Sequence, residues 1–172
     1  MKKYQILIGS TLLWASTCEA STFSTKLYFT SYEKNTTTVG QVVFKDGPYG
    51  LLIQPKLSNL PPGIHGFHLH QNADCGDMGN HAGGHYDPQN TKSHQGPSGQ
   101  GHLGDLPSLV VDANGHANQQ TLAPRLHQSD LRGLTLMIHA NGDNYSNHPP
   151  LGGGGARIAC GVISISPKLL KD

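Results

Sequence analysis

His68 and His70 alternate with Phe67 and Leu69 in the stretch Gly66-Phe67-His68-Leu69-His70. Residues i and i+2 of an extended strand share a face, so this spacing predicts both imidazoles on one side and both apolar side chains on the other, in a core. Two imidazoles held side by side on rigid backbone are half of a transition-metal site. Alone, such a pair reads equally well as two exposed histidines on a half-buried strand. It is not alone: the chain has eleven histidines, and His85, His94, His102, Asp105 and His139 follow. These donors divide by chemistry. His85, His94, His102 and Asp105 offer three nitrogens and one oxygen, the tetrahedral shell that zinc prefers, and the spacing His102-x-x-Asp105 lets one turn supply two of them. With four protein ligands such a zinc is closed, hence structural and electrostatic rather than hydrolytic. His68, His70 and His139 offer a nitrogen-only set, which suits copper.

Donors spread so widely need a rigid frame. At 172 residues the chain is one domain with room for a real core. Only 13% of residues are charged, while glycine (22) and proline (11) are frequent, a balance that favours strands joined by turns. Alternation and turn chemistry predict strands over 24–31, 39–45, 51–57, 64–70, 107–112, 116–122, 134–139 and 157–165. Pro55 argues for an edge or a bulge near the end of the third. Asp112-Ala113-Asn114-Gly115 predicts a hairpin between the fifth and sixth. No helical pattern of convincing length occurs. Residues 71–104 and 140–156 are irregular, and the second segment ends in four glycines. Loops that long are functional or disordered, and metal ligands within them would provide ordering free energy. Eight short antiparallel strands point to a sandwich or barrel.

The first twenty residues have the pattern of a secretory leader: Lys2 and Lys3, an apolar run over 6–14, and Cys18-Glu19-Ala20 before Ser21. This divides the chain into a signal peptide, 1–20, and a domain, 21–172. The apolar run is too short to span a bilayer. A lipoprotein reading of Cys18 lacks the large apolar residue expected within Ala15-Ser16-Thr17. Loss of the leader removes two lysines and one glutamate and leaves a formal charge of zero. A neutral body gives no case for nucleic acid, nor for a membrane once the leader is gone. Cys75 and Cys160 remain. An exported chain joins such a pair as a disulfide, thiolate ligation of a metal being the alternative.

Four segments in order carry a family resemblance: Gly66-Phe67-His68-Leu69-His70, Gly83-Gly84-His85-Tyr86-Asp87-Pro88, His102-Leu103-Gly104-Asp105-Leu106-Pro107, and Gly152-Gly153-Gly154-Gly155-Ala156-Arg157-Ile158-Ala159-Cys160-Gly161-Val162-Ile163. Together they resemble the copper/zinc superoxide dismutases. The Asp-Leu-Pro after His102 and the glycine run are similar to the bacterial exported branch, and the resemblance covers most of residues 22–166. It implies an all-β fold, an eight-stranded antiparallel Greek-key β-barrel with two long functional loops. It implies one copper and one zinc ion per subunit, with copper on His68, His70, His85 and His139 and zinc on His85, His94, His102 and Asp105. His85 would bridge the metals, a role open only to an imidazole with its two ring nitrogens. Arg157 takes the position of the arginine that attracts the substrate, and Asp143 that of the aspartate linking one copper and one zinc histidine.

The implied reaction turns superoxide into dioxygen and hydrogen peroxide by alternate reduction and oxidation of copper, with Arg157 and His85 as catalytic residues. The implied place is the periplasm, where it would protect the cell envelope. Superoxide is the expected partner, and a homodimer is favoured over a monomer. His65, on the core side of its strand, reads as a hydrogen-bonded structural histidine. His81, His116, His127 and His148 match no ligand position and default to the surface. A copper carrier on this fold would lack the bridge, a zinc ligand or the arginine, and none is missing. A zinc hydrolase would need an open coordination position and a general base, and no Gly-x-Ser-x-Gly elbow is present.

Overall fold

A computed structural model describes residues 22–31 and 37–164. The leader expected over 1–20 and the last residue of the final expected strand, 165, lie outside the described residues. The described residues form nine strands: β1 (Thr22–Phe29), β2 (Thr38–Gly47), β3 (Gly50–Leu57), β4 (Gly63–His65), β5 (Phe67–His70), β6 (Leu109–Val111), β7 (Thr121–Ala123), β8 (Thr135–His139) and β9 (Arg157–Val162). Seven form one antiparallel sheet in the order β5-β8-β9-β1-β2-β3-β7, and β4 pairs with β6. The fold is the expected all-β antiparallel one. Helical structure among the described residues is limited to three short 3-10 turns, Asn80–Ala82, Gln128–Leu131 and Pro150–Gly153. None is long and apolar enough to cross a membrane.

Alternation along the strands builds the core. Leu27, Val42, Phe44, Ile53, Phe67, Leu69, Leu136 and Ile138 are all buried in one apolar cluster. The β1–β2 register shifts between Leu27 and Tyr28, so Val39 and Val42 both point inward although three positions separate them. Burial of this cluster follows from strand periodicity and supplies the main driving force for folding.

Two local expectations are corrected. The single strand expected over 64–70 divides at Gly66. Its amide donates to the Asn141 carbonyl (2.7 Å) and its carbonyl accepts the His139 amide (2.9 Å), so the chain leaves β6 and joins β8. The eight expected strands thereby become nine. The turn at 112–115 does close, with Gly115 N–H on the Asp112 carbonyl at 3.0 Å. Its flanks nevertheless diverge: β6 goes to β4, and Ala117 and β7 go to β3. Curvature of the sheet, not the turn, chooses the partners. Pro55 falls where expected, because β7 pairs only Leu51, Leu52 and Ile53, and among the described residues β3 has no ladder partner on that side until Leu57 bridges Ala117.

β5 and β8 carry the consequence for function. All nine residues of the two strands are buried, although alternate side chains point away from the core. The outer face is covered by the two long irregular segments, which return over it.

Candidate metal centre

Three separate segments bring donors to that covered face, and main-chain hydrogen bonds fix them to one another. Leu69 N–H donates to the Gly104 carbonyl (2.9 Å), Gly104 N–H to the Tyr86 carbonyl (2.8 Å), and Tyr86 N–H to the Leu69 carbonyl (2.8 Å). This closed ring of three bonds joins β5, with His68 and His70, to the residues beside His85 and to the turn between His102 and Asp105. Gly104 is required there. A Cβ at that position would collide with the Leu69 carbonyl and stand 2.8 Å from the Tyr86 nitrogen.

The donors converge in two clusters, His68-His70-His85-His139 and His85-His94-His102-Asp105, each with its ligand atoms within 4.8 Å of one another. His85 belongs to both. Every member of both clusters is buried. Hydrogen-bond partners assign the ring tautomers. His68 Nε2 donates to Asp143 Oδ2 (2.6 Å), His70 Nδ1 to the Gly83 carbonyl (2.9 Å), and His139 Nδ1 to the Gly155 carbonyl (3.2 Å). His94 Nε2 donates to Asp143 Oδ1 at 2.8 Å. The opposite ring nitrogens then hold lone pairs aimed into the clusters. His68 Nδ1, His94 Nδ1 and His102 Nδ1 are buried without a hydrogen-bond partner. His94 Nδ1 is 2.9 Å from Asp105 Oδ1, close but without hydrogen-bond geometry. Convergent lone pairs beside a buried carboxylate are the surroundings of a cation. The residues fit two metal ions, one in a nitrogen-only set and one in a set of three nitrogens and an oxygen.

Electrostatics follow from burial. Desolvation pushes His68 down to about 3, with His85 and His139 nearby adding to the effect against Asp143. Burial likewise takes His70 down to about 2 and His139 to about 4. It also lowers His85, against the pull of Asp105. His94 goes the other way. Burial opposes its charge, but the Asp105 carboxylate close by and the hydrogen bonds to Asp143 raise it to about 9. Asp105 and Asp143 are held well below the carboxylate range by histidine partners that outweigh their desolvation. The neutral rings of His68, His70, His85 and His139 and the ionised carboxylates are in the protonation states that ligate, whereas a metal at His94 would displace its second proton.

Asp143 spans the clusters through its hydrogen bonds to His68 and His94. Gly152 makes room for it, since a Cβ there would collide with its carboxylate. Arg157 is half-buried, with Nη1 on the Gly79 carbonyl and Nη2 on the Gly83 carbonyl at 2.7 Å. The Gly83 oxygen therefore accepts from both His70 and Arg157, which places the guanidinium beside the nitrogen-only cluster. Burial lowers its pKa from the ordinary value. Cys75 and Cys160 form a disulfide with Cα atoms 5.9 Å apart, tying the loop below Gly79 to β9 three residues after Arg157.

His65 is buried, with Nδ1 on the His139 carbonyl and Nε2 on the Pro61 carbonyl, each at 2.8 Å. His81 lies exposed 3.4 Å from Asp74, and His116 and His127 lie near Asp112 and Asp46. His148 is exposed, and none of these four enters either cluster. Sequence reasoning missed Tyr145. Its amide donates to Asp143 Oδ1 (2.7 Å), its ring lies against Gly96, and its hydroxyl accepts from Ser108 N–H (2.9 Å). It also missed Gly104, whose only signal was a glycine between two ligands. Asn147, whose Oδ1 accepts the His94 amide at 2.9 Å, left no signal.

Comparison with known proteins points the same way. The sequence profile of the copper/zinc superoxide dismutase family matches residues 38–163. A Cu-Zn superoxide dismutase of Legionella pneumophila is 57% identical over 163 residues, covering 95% of this chain and 99% of the relative. The solved Cu/Zn superoxide dismutase of Brucella abortus superposes with a TM-score of 0.79 at 44% identity, over 84% of this chain and 100% of that one. The monomeric copper, zinc superoxide dismutase of Salmonella enterica gives 0.73 at 45% identity, over 84% and 100%.

Proposed function

The chain belongs to the copper/zinc superoxide dismutases, and from that premise we propose which residues hold each metal, how they act, and where. Copper is assigned to His68, His70, His85 and His139, and zinc to His85, His94, His102 and Asp105. One observation carries the assignment: His85 alone stands in both donor clusters, with a nitrogen available to each.

Bound at these donors, copper supplies one-electron redox chemistry and zinc a fixed charge without redox. The reaction balances as two superoxide anions and two protons giving dioxygen and hydrogen peroxide, one anion losing the electron the other gains. Arg157 draws the anion in. Its guanidinium is aimed by the Gly79 and Gly83 carbonyls, and its remaining N–H groups are donors to a small oxyanion beside His70. His85 keeps Nδ1 toward Asp105. Its other ring nitrogen, Nε2, would then be the atom that takes up a proton and returns it to the developing peroxide. Asp143 fixes the tautomers of His68 and His94 so that their Nδ1 atoms face the metals.

The leader pattern at 1–20 and a disulfide, stable in an oxidising compartment, support a periplasmic protein that removes superoxide at the cell envelope. Cell fractionation with N-terminal mass analysis tests that placement. For assembly, the expected homodimer stands against a Salmonella enterica relative described as monomeric, and analytical ultracentrifugation decides. The central test is stopped-flow decay of superoxide by protein loaded with both metals. Rapid decay abolished by copper chelation is expected. Stoichiometric binding of both metals without faster decay would instead mark a metal carrier.

A further inference from the structure

Resting on the zinc assignment above, we infer that Arg125 is a positioning residue for the zinc site: its guanidinium, anchored on the barrel, holds the loop that carries His94 and His102. Residues 93–102 contain no strand or helix. Within the loop the closing bonds are few: His102 N–H to the Ser93 carbonyl (2.8 Å), Gly99 N–H to the Gly96 carbonyl (3.3 Å), Gln100 N–H to Gln95 Oε1 (3.1 Å) and Gln95 Nε2 to Ser93 Oγ (2.9 Å). At the tip, Arg125 Nη1 donates to the Gly99 carbonyl and Nη2 to the Gly101 carbonyl at 2.8 Å. The second of these carbonyls belongs to the peptide bond leading into His102.

Arg125 itself is well held. It lies two residues past the end of β7, Leu126 N–H donates back to the Ala123 carbonyl (3.3 Å), and the Leu126 side chain is buried in the core. A rigid element thus reaches across to a loop that lacks periodic structure of its own. The chemistry requires arginine. A planar fork directs donors at two carbonyls two residues apart, which a single ammonium on a flexible stem does not reproduce. With Gly101 fixed, His102 Nδ1 is fixed relative to Asp105 and His94. Partners of this kind, one step behind the ligands, typically contribute 10–100-fold to metal affinity.

The test compares zinc retention by wild-type protein, R125M and R125K, each with its disulfide intact. Zinc is titrated against a chromophoric chelator, and cobalt(II) substituted for zinc reports ligand geometry by its visible absorption. We expect R125M to lose about 10–100-fold in zinc affinity and to show altered cobalt bands, with copper content unchanged. R125K should recover part of that loss. If R125M does not fold, R125K alone carries the test, with zinc release faster than wild type expected. Wild-type zinc retention in R125M or, where only R125K folds, in R125K overturns the inference. So does an equal loss of copper and zinc, which would mark a general contribution to folding. A wild-type protein that binds no zinc overturns the zinc assignment, and this inference with it.

Discussion

Each donor at the centre has a distinguishable part, and single substitutions separate them. His85→Ala removes the one ring common to both clusters. It should abolish most dismutation and weaken zinc, with the disulfide-linked fold retained, as read by metal content and superoxide decay; full activity would refute the ligand set. Arg157→Ala should keep both metals yet slow superoxide capture and flatten the dependence of rate on ionic strength. Asp143→Asn keeps the shape but replaces an acceptor of two imidazole N–H groups. Zinc affinity should fall about 10–100-fold, measured by chelator competition. The donors of the two clusters were legible because imidazole and carboxylate carry their chemistry in the side chain. Gly104, Gly83 and Asn147 were not, because they act through backbone oxygens, an amide oxygen or the absence of a side chain.

Among the elements, β5 depends most on its surroundings. Alternation correctly placed Phe67 and Leu69 in the core and His68 and His70 outside it. It could not show that the strand breaks at Gly66, because the change of partner there is dictated by the Asn141 carbonyl, 75 residues away in sequence. The turn at 112–115 was legible for a similar reason to the strands: Asp and Gly set it locally. Which strands its flanks join is a property of the whole fold, since β6 pairs with β4 and β7 with β3. Gly104→Ala tests the three-bond ring at this scale. A methyl group against the Leu69 carbonyl should cost about 1–3 kcal/mol in stability and release zinc along with it, measured by urea unfolding of loaded and stripped protein. An unchanged midpoint would mean the segments are not so closely joined.

For the whole molecule, burial of four neutral histidines couples folding to pH once the metals are removed. His68, His70 and His139 have folded values of about 3, 2 and 4 against 6.5 when free. The unfolded chain binds more protons below pH 6.5, so their contribution is present above 6.5 and lost as pH falls toward those values. His94, raised to about 9, has the opposite sign: its contribution is present below 6.5 and lost as pH rises through 9. Stripped protein should therefore be most resistant to urea near neutrality, with a steeper fall on the acid side, and a flat acid limb would contradict the buried rings. Reduction of Cys75–Cys160, which are 85 residues apart, should cost about 4–5 kcal/mol by the chain-entropy account. Thermal unfolding before and after reduction measures it.

The ring of hydrogen bonds through Leu69, Tyr86 and Gly104 also bears on how this protein can diversify. Because the three ligand-bearing segments are joined through amides and carbonyls, their registration survives changes in the side chains at the joints. Position 86 should accept many residues in a randomised library selected for zinc retention, and position 69 most apolar ones. Position 104 should return glycine alone. The centre is thus insulated from drift at its joints except at one codon, where the lack of a side chain is the property under selection.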